Sequence, residues 1–256
     1  MFERFRKRRS ATGPAVPPGS RVYAVGDVHG RDDLLRELIA KIEDDRAARG
    51  PARDVIVFLG DLIDRGPASC EVVERLRGFA PDNARLVFLA GNHEEVLLRI
   101  LDGHEELVGD WLRFGGADCL RSYGLDPASL PRSAREAVLA IRKAIPGSHA
   151  EFLRSFSDTV RIGDYLFVHA GIRPGLPLAE QSQSDLRWIR RDFLDDDSDH
   201  GFIVVHGHTI SSQVDQQPNR VGIDTGAYHS GVLSAIGLAT DRRWFLQTGA
   251  SEAATR

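Results

Sequence analysis

Five short clusters in the sequence combine glycine with residues that bind metal ions or move protons. They are Gly26-Asp27-Val28-His29-Gly30, Gly60-Asp61-Leu62-Ile63-Asp64-Arg65-Gly66, Gly91-Asn92-His93-Glu94, His169-Ala170-Gly171 and His206-Gly207-His208-Thr209. Five of the nine histidines fall inside them, a concentration that scattered surface residues would not give. Asp27 and His29 stand two apart, so extended backbone aims both side chains to one side, where they can share a cation. Asp61 has two carboxylate oxygens and can bridge that cation to a second, held by Asn92, His169 and His208. Carboxylate, amide and imidazole donors without thiolate suit Mn²⁺, or else Fe or Zn²⁺, better than Ca²⁺ or Mg²⁺, and argue against a structural zinc site. Two such ions about 3.5–4 Å apart would polarise phosphoryl oxygens and turn a bridging water into hydroxide near neutral pH. Direct in-line attack then needs no protein nucleophile.

His93 follows Asn92 directly, so the two side chains should diverge, one to the metal and one toward the leaving oxygen. That makes His93 the candidate general acid, with Asp64 to orient its imidazole and raise its pKa. Arg65 is placed to grip phosphate oxygens in bidentate fashion, and Arg190 is the candidate for a second clamp. Each cluster alone also reads as a turn, a helix cap or a packed histidine; five in order at strand ends do not. His104, His149, His200 and His229 lack such a context and read as surface or packing residues, and Trp111, Phe114 and Tyr123 read as core of a helical cap.

The elements that must carry these clusters follow from hydrophobic period. Residues 21–26, 54–60 and 85–91 are β-rich runs, each followed by a cluster and then by a helical pattern, the first with Leu34, Leu35, Leu38, Ile39 and Ile42 on one face. Strand alternating with helix predicts βαβ units and a mainly parallel sheet, with ligands beyond the strands' carboxyl ends. Residues 104–157 turn helical and read as a cap insertion. Four later strand candidates, TVRIGDYLFVHAG, FIVVHGHT, RVGIDTG and VLSAIGLA, suggest a second, more antiparallel sheet. The expected fold is α/β, a four-layer αββα sandwich of two mixed sheets with a helical cap.

At 256 residues and 42% hydrophobic content, the chain supports one substantial core. The basic start and the Pro/Gly cluster of residues 13–19 predict a loose tail over 1–20, a single domain over 21–248 and a flexible end over 249–256. Net charge is −4 although five of the first ten residues are basic, so the body is acidic and no nucleic-acid partner is expected. Cys70 and Cys119 form no disulfide or zinc pattern and read as packed thiols. No apolar run approaches the ~20 residues that span a bilayer, and the start lacks a signal peptide's apolar stretch. Cytoplasmic residence and a monomer are the expectations.

GDVHG, GDLIDRG, GNHE, HAG and GHT, in this order over about residues 21–240, resemble the phosphoprotein phosphatase family. The resemblance is to its bacterial and bacteriophage lambda branch, within the calcineurin-like metallophosphoesterases. It implies metal one at Asp27, His29 and Asp61, and metal two at Asp61, Asn92, His169 and His208. It also implies Asp64 with His93 for acid catalysis, and Arg65 and Arg190 on phosphate. The implied activity is hydrolysis of phosphoserine or phosphothreonine, and of phosphotyrosine as an extension, in a protein or peptide substrate. Ala90 stands where many relatives carry Arg, and His206 is an extra imidazole. Dinucleoside tetraphosphate hydrolases share much of the signature but typically lack the Asp64 equivalent and carry Asp where Glu94 stands. The motifs therefore favour the protein-phosphatase side, with nucleotide phosphoanhydride hydrolysis as the alternative and a non-catalytic metal-bound module as a third reading.

Overall fold

A computed structural model describes residues 13–249. The sheet elements in chain order are β1 (Ser20–Val25), β2 (Arg53–Phe58), β3 (Ala84–Phe88), β4 (Thr159–Ile162), β5 (Tyr165–Val168), β6 (Ile203–His206), β7 (Asp215–Gln216), β8 (Arg220–Gly222), β9 (Ser234–Ala239) and β10 (Arg242–Gln247). The first sheet runs β10-β9-β1-β2-β3 and the second β4-β5-β6-β8-β7. Pairs β1–β2 and β2–β3 are parallel, as the βαβ rhythm predicts, while β9 and β10 add antiparallel. The second sheet departs from expectation: β5–β6 and β6–β8 are parallel, and only its two edge strands run antiparallel. The TVRIGDYLFVHAG run is two strands, β4 and β5, and VLSAIGLA leaves the second sheet to pair with β1 in the first.

Side-chain alternation with period 2 makes the four layers. Val22, Ala24, Val57 and Leu59 meet Phe167, Val205, Val221 and Ile223 between the sheets. Tyr23, Val25, Ile56 and Phe58 face outward onto α1 (Asp32–Arg49) and α2 (Ser69–Gly78), through Leu35, Leu38, Ile42, Val72 and Leu76. On the far side, Leu166, Val168 and Val204 of the second sheet bury Leu186, Ile189 and Phe193. At roughly 1.5–3 kcal/mol per buried large apolar side chain, these three clusters dominate the stability of the fold.

Between β3 and β4 the chain is helical: α3 (Asn92–Leu101), α4 (Val108–Trp111), α5 (Ala117–Ser122), α6 (Ala134–Ala144) and α7 (Gly147–Arg154). Trp111 and His149 are buried there, but Phe114 is 65% exposed, contrary to its reading as core. The Pro/Gly cluster does not keep residues 13–20 outside the body. Val16 is buried between the sheets, and its N–H donates to Thr240 O at 2.9 Å. Residues 1–12 and 250–256, most of the two expected loose ends, lie outside the described residues. No helix among the described residues is long and apolar enough to cross a membrane.

Candidate metal centre

The six parallel-running strands β1, β2, β3, β5, β6 and β8 end at one place, and each delivers polar residues there. Tight turns beyond the strands force His29, Asp61, Asp64, Arg65 and His208 into the left-handed region, with φ of 46°, 48°, 71°, 66° and 63°. Side-chain-bearing residues adopt such angles at a cost of order 1 kcal/mol or more each, and persist there when the surroundings over-determine them. Glu94 is one such surrounding group. Its carboxylate accepts the N–H groups of Asp61, Leu62 and Gly91 at 2.9, 2.7 and 3.0 Å. Glu94 thus holds two site loops together, which explains its presence without reference to substrate.

Five of the six proposed ligands, His29, Asp61, Asn92, His169 and His208, come together, while Asp27 belongs to neither donor group among the described residues. Asn92 Oδ1 sits 3.0 Å from His169 Nε2 and 2.9 Å from His208 Nδ1. Asp61 Oδ2 lies 3.4 Å from His169 Nε2 and 3.6 Å from His29 Nε2, between the two halves of the site as a bridging carboxylate would. His29 donates Nδ1–H to Ile63 O and His169 donates Nδ1–H to Leu59 O, both at 2.8 Å, which turns each Nε2 lone pair inward. Burial pushes His29 down to about 3; burial, helped by His169, pushes His208 down to about 2, so both are neutral, as metal binding requires. Burial opposes charge on Asp61 too, but His169, His93 and His29 outweigh it and hold the carboxyl well below its usual range.

Asp27 accepts the His208 N–H with both oxygens, at 3.2 and 3.0 Å. Burial first, then Asp224 and Asp61, pushes its carboxyl well up. Asp224, in the turn after β8, is 2% exposed and is itself raised by burial. Sequence reasoning missed it, although Gly222-Ile223-Asp224-Thr225-Gly226 is a sixth strand-end cluster of the same kind. Three buried carboxylates, Asp27, Asp61 and Asp224, stand in mutual range and call for cationic compensation; burial opposes charge on His169, but Asp61 outweighs it and raises that imidazole. His208 Nε2 is buried without a hydrogen-bond partner among the described residues. Two donor groups among the described residues, His29–Asp61–His93 and Asp61–His169–His208, each bring their ligand atoms within 4.8 Å of one another. This donor set fits a pair of divalent ions sharing Asp61.

Beside the cluster, His93 Nδ1 lies 2.7 Å from Asp64 Oδ2. Burial resists charge on His93, but Asp61 and Asp64 outweigh it and raise the imidazole. The Arg65 guanidinium donates to His29 Nε2 and His93 Nε2, each at 3.1 Å, and lies over the Tyr228 ring at 5.0 Å. Its backbone N–H donates to Gly115 O at 3.1 Å; with φ +121° and Arg65 Cγ 2.6 Å from where a Cβ would stand, position 115 admits only glycine. Arg187 is committed to Asp158 and Glu95, whereas Arg190 lines a cavity with Asn92, His93 and Arg65. His206 is buried behind the turn against Phe193, pushed down to about 4 by burial, and belongs to neither donor group.

The family model for calcineurin-like phosphoesterases matches residues 20–232. A symmetrical bis(5'-nucleosyl)-tetraphosphatase of Methylococcus capsulatus is 34% identical over 158 residues, which is 60% of this chain and 44% of that protein, so the match spans less than half of the relative. A symmetrical bis(5'-nucleosyl)-tetraphosphatase of Dechloromonas aromatica is 26% identical over 271 residues, 87% of this chain and 94% of its own length. A solved structure of a candidate diadenosine tetraphosphatase superposes with a TM-score of 0.62 at 20% identity, covering 92% of this chain and 98% of that one, a likeness of fold. The resemblance read from the motifs holds at the level of the superfamily. Its narrower phosphoprotein phosphatase branch is not supported, because these relatives carry tetraphosphatase names. With five motif clusters gathered at one end of two mixed sheets, the chain belongs to the calcineurin-like phosphoesterase family.

Proposed function

We propose that this chain hydrolyses the phosphoanhydride chain of dinucleoside tetraphosphates, cutting it symmetrically into two nucleoside diphosphates. The observation that carries this reading is the Dechloromonas relative, matched over 94% of its length and 87% of this chain. Local shape supports it. Two recesses share Arg65 and Phe114, one extending to Trp188 and the other to Tyr228, as a polyanion with a nucleoside at each end would require.

Metal one is assigned to Asp27, His29 and Asp61 and metal two to Asp61, Asn92, His169 and His208, with manganese preferred over iron or zinc. When bound, two such cations supply phosphoryl polarisation and an activated water. Arg65 and Arg190 hold phosphate oxygens, and their planar forks suit that geometry. His93 delivers a proton to the departing oxygen while Asp64 fixes its Nδ1 side. A nucleoside diphosphate leaves far more readily than an alkoxide, so His93 contributes less to anhydride than to alkyl-ester cleavage.

The test compares metal-stripped and Mn²⁺-restored protein on diadenosine tetraphosphate and on phosphoserine, phosphothreonine and phosphotyrosine peptides. The expected result is roughly tenfold or greater preference in kcat/KM for the dinucleotide, with ADP as product. Faster turnover of a peptide returns the protein-phosphatase reading that the motifs alone favoured. ATP plus AMP as products would keep the substrate and discard the symmetrical cut.

A further inference from the structure

The cavity beside the metal centre, about 390 Å³, has a two-part lining. One part is polar: Asn92, His93, Arg65 and Arg190. The other is apolar, and includes Trp111 and two rings that reach solvent, Phe114 at 65% exposure and Trp188 at 41%. Large rings left in water forgo the stabilisation that burial would give, which is why clustered exposed apolar groups mark binding surfaces.

Both rings are held in place. Phe114 lies in the Leu112–Gly116 turn, whose Gly115 carbonyl accepts the Arg65 N–H at 3.1 Å. Trp188 donates its indole N–H to Glu95 Oε2 at 3.3 Å, and the same oxygen takes Arg187 at 3.3 Å. Glu95 is on α3, three residues from Asn92, so the helix that delivers a ligand also fixes the ring.

We infer that Phe114 and Trp188 form a stacking site for one base of a nucleoside 5'-polyphosphate whose phosphates reach Arg65 and Arg190; this rests on the tetraphosphatase reading. The lining matches a ligand that is anionic at one end and a flat uncharged ring at the other. Phosphoserine and phosphothreonine side chains offer no ring, and a cavity of this volume falls in the range that accepts a whole small molecule. Stacking uses the π-face that every base presents, so adenine and guanine dinucleotides bind alike.

The experiment uses the Mn²⁺-restored full chain, Phe114→Ala, Trp188→Ala and the conservative Trp188→Phe, on diadenosine tetraphosphate, glycerol phosphate and phenyl phosphate. Both alanine variants expose little core. The ratio of kcat/KM for the dinucleotide to that for glycerol phosphate should fall about tenfold in each, chiefly through KM, and Trp188→Phe should restore most of it. An unchanged ratio, in a wild type that does cleave the dinucleotide, overturns the stacking site and leaves the tetraphosphatase reading standing. A wild type that does not cleave the dinucleotide removes that reading and the stacking site together. An equal fall on phenyl phosphate assigns the rings to aryl esters at large and overturns the nucleoside assignment.

Discussion

The indole N–H of Trp111 lies 2.9 Å from Asp64 Oδ2, the same oxygen that meets His93 Nδ1 at 2.7 Å. One buried carboxylate oxygen therefore couples the helical segment after α3 to the imidazole assigned as proton donor. Asp64 Oδ1 has no hydrogen-bond partner among the described residues, and both Trp111 and His93 meet the carboxylate at Oδ2. Trp111→Phe keeps the ring and removes the tether. Stability should drop by about 1 kcal/mol, and turnover of glycerol phosphate should fall more than that of p-nitrophenyl phosphate. Equal slowing of the two esters would reduce Trp111 to a packing residue.

Asp61→Asn removes the negative charge of the carboxylate proposed to bridge the two ions, while keeping its shape. Metal content after dialysis and activity should be lost together, with affinity for Mn²⁺ weakened roughly a hundredfold or more. An active variant with full metal content would refute the bridging assignment.

His93→Asn should retain metal, because His93 is placed here as acid and not as ligand. Alkyl esters should slow by roughly 10²–10⁴, and diadenosine tetraphosphate by much less, since its leaving group needs little protonation. Loss of metal in this variant would instead promote His93 into the coordination sphere, where its distance of 4.0 Å from Asp61 Oδ2 makes it a rival.

Stripping divalent ions should lower the melting temperature, because Asp27, Asp61 and Asp224 are buried together and lose their counter-charge. Restoring Mn²⁺ to about 100 times its dissociation constant should return about 2.7 kcal/mol, read as a rise in the thermal midpoint. Asp224→Asn should narrow the gap between stripped and restored protein; an unchanged gap would remove Asp224 from that field.

His200 gives a pH signature away from the metals. Burial pushes its pKa down against the opposing pull of Asp196 and Asp199; its ring stacks near Phe193, and Nε2 accepts Asn219 Nδ2–H at 3.4 Å. A histidine depressed in the folded state contributes stability that is present above its ordinary value of 6.5 and is lost as pH falls below it. Between about pH 7.5 and about pH 5.5 the wild-type denaturation midpoint should fall more than that of His200→Gln. Parallel falls in both would show that His200 is not the acid-sensitive group.

What the sequence made legible was local. Asp27 with His29, Asp64 with Arg65 and Asn92 with His93 are neighbours in the chain, and strand-end glycines flag them. The two sheets were readable for the same reason, since period 2 and period 3.6 are properties of short windows. What stayed hidden depends on partners far along the chain. Arg187 and Arg190 differ only in their partners: Asp158 and Glu95 hold the former, whereas the latter lines the cavity beside Asn92 and His93. Glu94 looked like a marker of substrate class, and its role in holding the Asp61 turn emerges only when residues about thirty apart meet. The destination of β9 is likewise a matter of topology: its pattern fits either sheet, and pairing with β1 decides.

The five left-handed side-chain-bearing residues at the centre have a conformational consequence. Glycine at any of those turns would relieve the backbone of its left-handed strain, at the expense of the side chain placed there and the hydrogen bonds it makes. His29, Asp61, Asp64, Arg65 and His208 thus hold bulky polar side chains at five corners of the chain where glycine alone would sit without strain.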